Sequence, residues 1–165
     1  MNKQDILILY QYNAWSNAKI LEAASNVTQE QFLAPAPFPH GSLQGTLVHA
    51  LFGEWVWRNR WEGTPSTVRL KLEDFPAFPT FESLRARWAD EEPRLMKFVA
   101  NVTDERLYSK IKYISTEGHP YERVLWETMA HLVNHGTQHK TEAAAILTGI
   151  RHSPGDIDLV VYLNG

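Results

Sequence analysis

The 165-residue sequence contains no cysteine. That excludes disulfides, thiolate zinc sites and a cysteine nucleophile, so any thiol chemistry must use a thiol brought by a substrate. Positive charge is not in excess either: 16 Lys+Arg stand against 19 Asp+Glu, a net charge of −3 with histidine neutral. A protein that binds nucleic acid by neutralising phosphates needs the opposite balance, so no nucleic-acid partner is expected. No stretch approaches the roughly 20 apolar residues that cross a bilayer. The N-terminal run Ile6 to Tyr10 is too short for a secretion signal and has no small-residue cleavage site after it. The expectations are no membrane partner and a cytoplasmic location. With 44% hydrophobic and 21% charged residues, the chain reads as one folded domain over 1–165 rather than a disordered tail. Histidine, at seven, and tryptophan, at six, are the generous entries.

Hydrophobic periodicity predicts four long helices. The first covers about Lys3 to Ala24, with Ile6, Leu9, Asn13, Ile20 and Leu21 near one face and Tyr10 and Trp15 flanking it. Thr28 to Gln31 resembles a short cap and turn. Residues 34–42 hold three prolines and a glycine and form a loop. The second helix runs from about Ser42 to Trp61 and stops at Gly63-Thr-Pro65. Residues 64–79 read as irregular. Thr80 is the expected N-cap of the third helix, in which Pro93 should make a kink or a break. Residues 107–122 alternate and close in a glycine turn, which predicts a small β-hairpin. The fourth helix spans about Arg123 to Leu147 with Gly149 as its C-cap, and a turn at 153–156 precedes a short apolar tail. Four apolar stripes are buried most economically in an all-α antiparallel four-helix bundle, with the hairpin just before the last long helix.

The chemistry concentrates in the fourth helix, at His131, His135 and His139. Each four-residue step advances about 400°, so successive imidazoles drift only about 40° and share one side. A pair at i, i+4 can grip one metal ion, whereas a lone histidine on an apolar face is usually a hydrogen-bonded core residue. His131 and His139 lie about 12 Å apart along the axis, so one adjacent pair must be chosen, and the deeper pair His135 and His139 is preferred. His49 sits inside the second helix among core residues and is the candidate third ligand, with His131 as its rival. His40, His119 and His152 lie in loops or turns, where solvent contact is expected. Leu132 and Gly136 follow the first two histidines where a metallopeptidase of the H-E-x-x-H kind needs its glutamate, and no pair of Glu-x-x-His motifs suggests a di-iron site.

Three segments together resemble the DinB / YfiT-like superfamily: LYQYNAWSNAKILEAA, GTLVHALFGEWVWRNRWEG and LWETMAHLVNHGTQHKTEAAAIL. The likeness extends over nearly the whole chain, through the hairpin to the closing DIDLVVYL. The resemblance implies a four-helix bundle that holds a divalent metal on three histidines, at positions matching His49, His135 and His139. His131 matches a position that is often histidine in the family but not a usual ligand. Family members commonly carry arginine after the last ligand, where this chain has Lys140, a cation without the planar fork. Several relatives resemble transferases that use a low-molecular-weight thiol, and the resemblance also implies a homodimer.

Zinc or nickel is the expected ion, with iron or manganese as alternatives. No carboxylate lies at i±4 of His135 or His139, so a fourth protein ligand would come from Glu54 or the first helix. Otherwise the position stays open for water or a small thiol, and an ion there acidifies either one. Three functions follow: a metal-dependent thiol transferase, a metal-dependent hydrolase, and a metal-binding protein without catalysis. No catalytic residue is assigned from sequence. Trp55, Trp57 and Trp61 are expected to pack the helix end, with Arg58 and Arg60 on a solvated or dimer-facing surface. For Asn134 and Gln138, next to the ligands, solvent contact and support of the ligands both stay open, as do cavity lining and core packing for Tyr10 and Asn13.

Overall fold

A computed structural model describes residues 1–65 and 67–165. Its long helices are α1 (Lys3–Ala24), α3 (Leu43–Trp61), α4 (Phe81–Asn101) and α6 (Leu125–Gly149). The short elements are α2 (Gln29–Leu33), α5 (Asp104–Leu107), α7 (Leu159–Asn164) and a 3-10 turn at Leu72–Asp74. Strands β1 (Lys110–Ile114) and β2 (Pro120–Val124) form one antiparallel pair, in register from Lys110 opposite Val124 to Ile114 opposite Pro120. Helix accounts for 64% of the protein, so the chain is mostly helical with a small two-stranded sheet.

Local chemistry sets the helix starts. Asn2 and Asp5 form a capping box on α1, Thr80 and Ser83 form another on α4, and the Ser42 hydroxyl accepts from the Gly45 N–H to open α3. Helix α6 has no side-chain cap. It continues directly from β2, and its first N–H, at Leu125, donates to the Ser109 carbonyl at 2.9 Å. Thus the hairpin does the work of a cap and fixes where α6 begins.

Two sequence expectations are narrowed. Of the kink or break expected at Pro93, the break does not occur, and α4 continues through it as one helix. Pro93 and Ala89 are both exposed, so the carbonyl that loses its N–H partner faces water and the helix continues. Gly149 is the last residue of α6 rather than its left-handed cap. Arg151 takes the positive φ, at 66°, while the His152 N–H returns to the Leu147 carbonyl at 2.8 Å. Residues 64, 65 and 67–79 are irregular apart from the 3-10 turn, and Ser66 lies outside the described residues.

Helices α1 and α3 each pack on both α4 and α6. The core they enclose contains Ile6, Tyr10, Leu47, Leu51, Trp61, Trp88, Met129 and Leu147. Polar ties cross it. Trp61 Nε1 donates to Thr128 Oγ1 at 2.9 Å, and the Tyr10 hydroxyl donates to the Met129 carbonyl at 3.1 Å. These bonds fix the rotation of α3 and α1 against α6, the helix that carries the histidines.

Candidate metal centre

Four imidazoles converge where α3, α6 and the 34–42 loop meet. From α6, His135 and His139 lie 4.4 Å apart between ring centroids. His49 of α3 lies 5.0 Å from His135 and 4.6 Å from His139. The Nε2 atoms of His49 and His135 face each other at 3.1 Å. His40, from the loop, stacks on His49 at 3.9 Å with an 18° interplanar angle. One ring nitrogen from each of His40, His49 and His139 falls within 4.8 Å of the others.

Two glycines of α3 make this approach possible. A Cβ at Gly53 would stand 2.8 Å from His135 Cε1 and 3.0 Å from its Nδ1. A Cβ at Gly45 would collide with the His40 carbonyl oxygen. Glycine inside a helix costs roughly 1 kcal/mol against alanine, so two of them eight residues apart on one helix mark a face that something else must approach.

The electrostatics suit a cation. Burial, reinforced by the neighbouring imidazoles, pushes His49 down to about 4 and His135 down to about 3. Burial also lowers His40. At neutral pH these rings are uncharged and present lone pairs to one another. His139 Nδ1 lies 2.8 Å from Glu142 Oε2, an arrangement that holds the proton on Nδ1 and leaves Nε2 free to ligate. His135 Nδ1 is buried without a partner. Neutral imidazoles with converging lone pairs and a carboxylate behind one of them fit a divalent ion of the zinc, nickel or iron group.

A cavity of about 380 Å³ opens beside His49 and His135. Phe52, Val56 and Trp57 of α3 form its apolar wall, and Arg60, Tyr113 and His131 supply polar groups. His131 is exposed, with its ring 5.4 Å from Trp57 and 5.8 Å from His135. Over its whole length, residues 1–165, the sequence matches the model of the DinB family. The chain belongs to the DinB family. It is 21% identical over 161 residues to Protein DinB of Bacillus subtilis (strain 168), an alignment covering 94% of this chain and 92% of that one.

In this DinB-family chain the structure brings His49, His135 and His139 together and leaves His131 at the cavity wall. His40, expected in a loop with solvent contact, is half-buried and also joins the cluster, because the loop closes through an Ala36 N–H to Gly41 carbonyl bond of 2.8 Å and Gly41 adopts a φ of 74°. His119 is exposed on the hairpin and His152 is half-buried after α6. Asn134 and Gln138 are exposed and face away from the cluster.

Glu54 is buried and bonded elsewhere. Its Oε1 accepts from Asn13 Nδ2 and Asn17 Nδ2, each at 2.8 Å, which draws it toward α1. Lys140 is buried too, and its ammonium donates to Asn13 Oδ1 at 2.7 Å and Ser16 Oγ at 2.6 Å. Burial raises Glu54 and lowers Lys140. The Asn13 amide thus links the two charges, and Lys140 ties α6 to α1 instead of meeting an anion at the histidines.

Arg58 and Arg60 are buried, against the expectation of a solvated surface. Arg58 pairs with Glu91 and Glu62. Arg60 packs against the Trp57 and Tyr113 rings, 4.7 Å from each. The sequence signal for Glu142 was available, since i+3 is a neighbouring position on a helix, but a search at i±4 alone passes over it.

Proposed function

We propose that His49, His135 and His139 hold one divalent ion, zinc or nickel, within an antiparallel four-helix bundle formed by α1, α3, α4 and α6. We infer that the protein is a metal-dependent transferase acting with a low-molecular-weight thiol. The observation that carries the reading is the convergence of neutral imidazoles at the end of the 380 Å³ cavity. When bound, such an ion acidifies a coordinating thiol or water. The chain's own residues do the rest. Glu142 orients His139, Gly53 admits the His135 ring, and Phe52, Val56 and Trp57 give the thiol's carrier an apolar wall. A hydrolase would use the same residues with water in place of the thiol.

His40 favours a second reading. Its ring nitrogen lies within 4.8 Å of those of His49 and His139, so four imidazoles are at hand for a closed site without catalysis. Spectroscopy of the cobalt-substituted protein separates the readings. A sulfur-to-cobalt charge-transfer band on adding a small thiol supports the transferase. An unchanged spectrum at saturating thiol removes it.

A further inference from the structure

Two arginines two positions apart on α3 are buried to nearly the same degree, Arg58 at 6% and Arg60 at 8% relative exposure. Their surroundings differ. The Arg58 charge is met by Glu91 and Glu62. Arg60 has no carboxylate within 4.0 Å among the described residues. Among the described residues its one hydrogen bond runs from Nη2 to the Ile114 carbonyl at 2.9 Å. Nε and Nη1 have no acceptor among them, yet neither is sealed off, because Arg60 lines the 380 Å³ cavity.

A guanidinium shielded by protein on one side, with donors facing a cavity on the other, favours an anion placed on its open side. The guanidinium packs against both Trp57 and Tyr113, whose rings lie 5.0 Å apart edge to face, and they supply cation–π attraction but no negative charge. A planar fork held in this way is suited to bidentate contact with a carboxylate. Arg69 and Lys71 line the same cavity and add positive charge, against the acids Glu73 and Glu117. The apolar wall lies between Arg60 and the histidines, so a ligand held at Arg60 would run along Trp57 and Val56 toward His135.

We propose that this cavity binds a small organic anion whose carboxylate pairs with Arg60. The carboxylate site stands on Arg60 and its surroundings. The placement of the ligand's other end, at the histidines, rests on the metal-centre reading given above.

Calorimetric titration of the full-length metal-free protein tests the site. The probes are hexanoate, its uncharged counterpart hexanamide, and inorganic phosphate. Hexanoate should bind at least about tenfold more tightly than hexanamide, the ratio that one charge-assisted contact gives. Arg60→Gln should abolish that preference, and Arg60→Lys, which keeps the charge without the fork, should retain part of it. Equal binding of hexanoate and hexanamide by the unaltered protein overturns the proposal without any variant. So does binding of phosphate alone, and so does absence of binding by all three probes. Failure here leaves metal binding by the histidines untouched. Conversely, a His135→Ala protein that cannot hold metal should still prefer hexanoate.

Discussion

His49 and His135 stand 86 positions apart in the chain and present their Nε2 atoms to each other at 3.1 Å. Two uncharged imidazoles can share one proton across that gap, but only one of the two lone pairs is then used. A cation takes both. His49→Ala, His135→Ala and His139→Ala should therefore each lower metal affinity sharply. His131→Ala, on the exposed cavity wall, should leave it nearly unchanged. Glu142→Gln should weaken affinity by about 10–100-fold, the usual effect of removing a carboxylate behind a ligating histidine. Metal content after dialysis against a graded chelator reads all five variants. Loss of metal from His131→Ala with retention in His139→Ala would show that the wrong pair of α6 histidines had been chosen.

Gly53→Ala puts a methyl 2.8 Å from His135 Cε1, closer than real Cβ contacts come. Elsewhere in a helix this change adds roughly 1 kcal/mol of stability. Here it should lower stability and metal affinity together, because the His135 ring must rotate out of its place. Thermal melting with and without metal checks this. A stabilised variant with full metal affinity would mean that the ring has other room.

Acid should weaken the metal-free protein in a defined window. In the unfolded chain His49 and His135 titrate near 6.5, whereas in the folded protein they are pushed down to about 4 and about 3. Between those values the unfolded state binds more protons, so stability is complete above pH 6.5 and falls as pH drops toward 4 and then 3. Replacing both residues by glutamine should flatten the urea-midpoint profile over that interval. A profile that keeps its slope in the double variant would assign the acid sensitivity to other groups.

The helical frame was legible because it is written in local terms: period, caps and prolines. The expected starts at Ser42 and Thr80 coincide with real caps. The shared side of His131, His135 and His139 follows from the same geometry, but how deep each one lies does not. His139 is buried, His135 half-buried and His131 exposed, because the His40 loop covers the His139 end of the row while the His131 end opens on the cavity. Arg60 misled for a similar reason. Nothing near it in sequence announces Tyr113, the hairpin residue that packs against its guanidinium beside Trp57. At Pro93 the local rule allowed a break that does not occur, since the residues around the affected carbonyl are exposed and the helix continues.

His40 was the residue hardest to foresee, and its role can be separated by a pair of substitutions. Its ring lies nearly parallel to that of His49, at 18° and 3.9 Å, while His139 meets both edge-on, at 69° and 78°. Ring nitrogens ligate along lone pairs in the ring plane. Two stacked rings keep those lone pairs in nearly parallel, separate planes, so one ion cannot lie in the plane of both unless a ring turns. As arranged, His40 supports His49 through its face, and the loop bond between Ala36 and Gly41 holds it there. His40→Ala should therefore lower metal affinity less than His49→Ala does, through a looser His49 ring. His40→Phe keeps a flat ring against His49 and removes both nitrogens, and it should recover most of the affinity lost in His40→Ala. The measurement is competition with a chelator, together with the cobalt spectrum of each variant. If phenylalanine fails to recover affinity and the cobalt spectrum of His40→Phe shows one imidazole fewer than the unaltered protein, His40 is itself a ligand. The site then holds four histidines and leaves no place for a thiol.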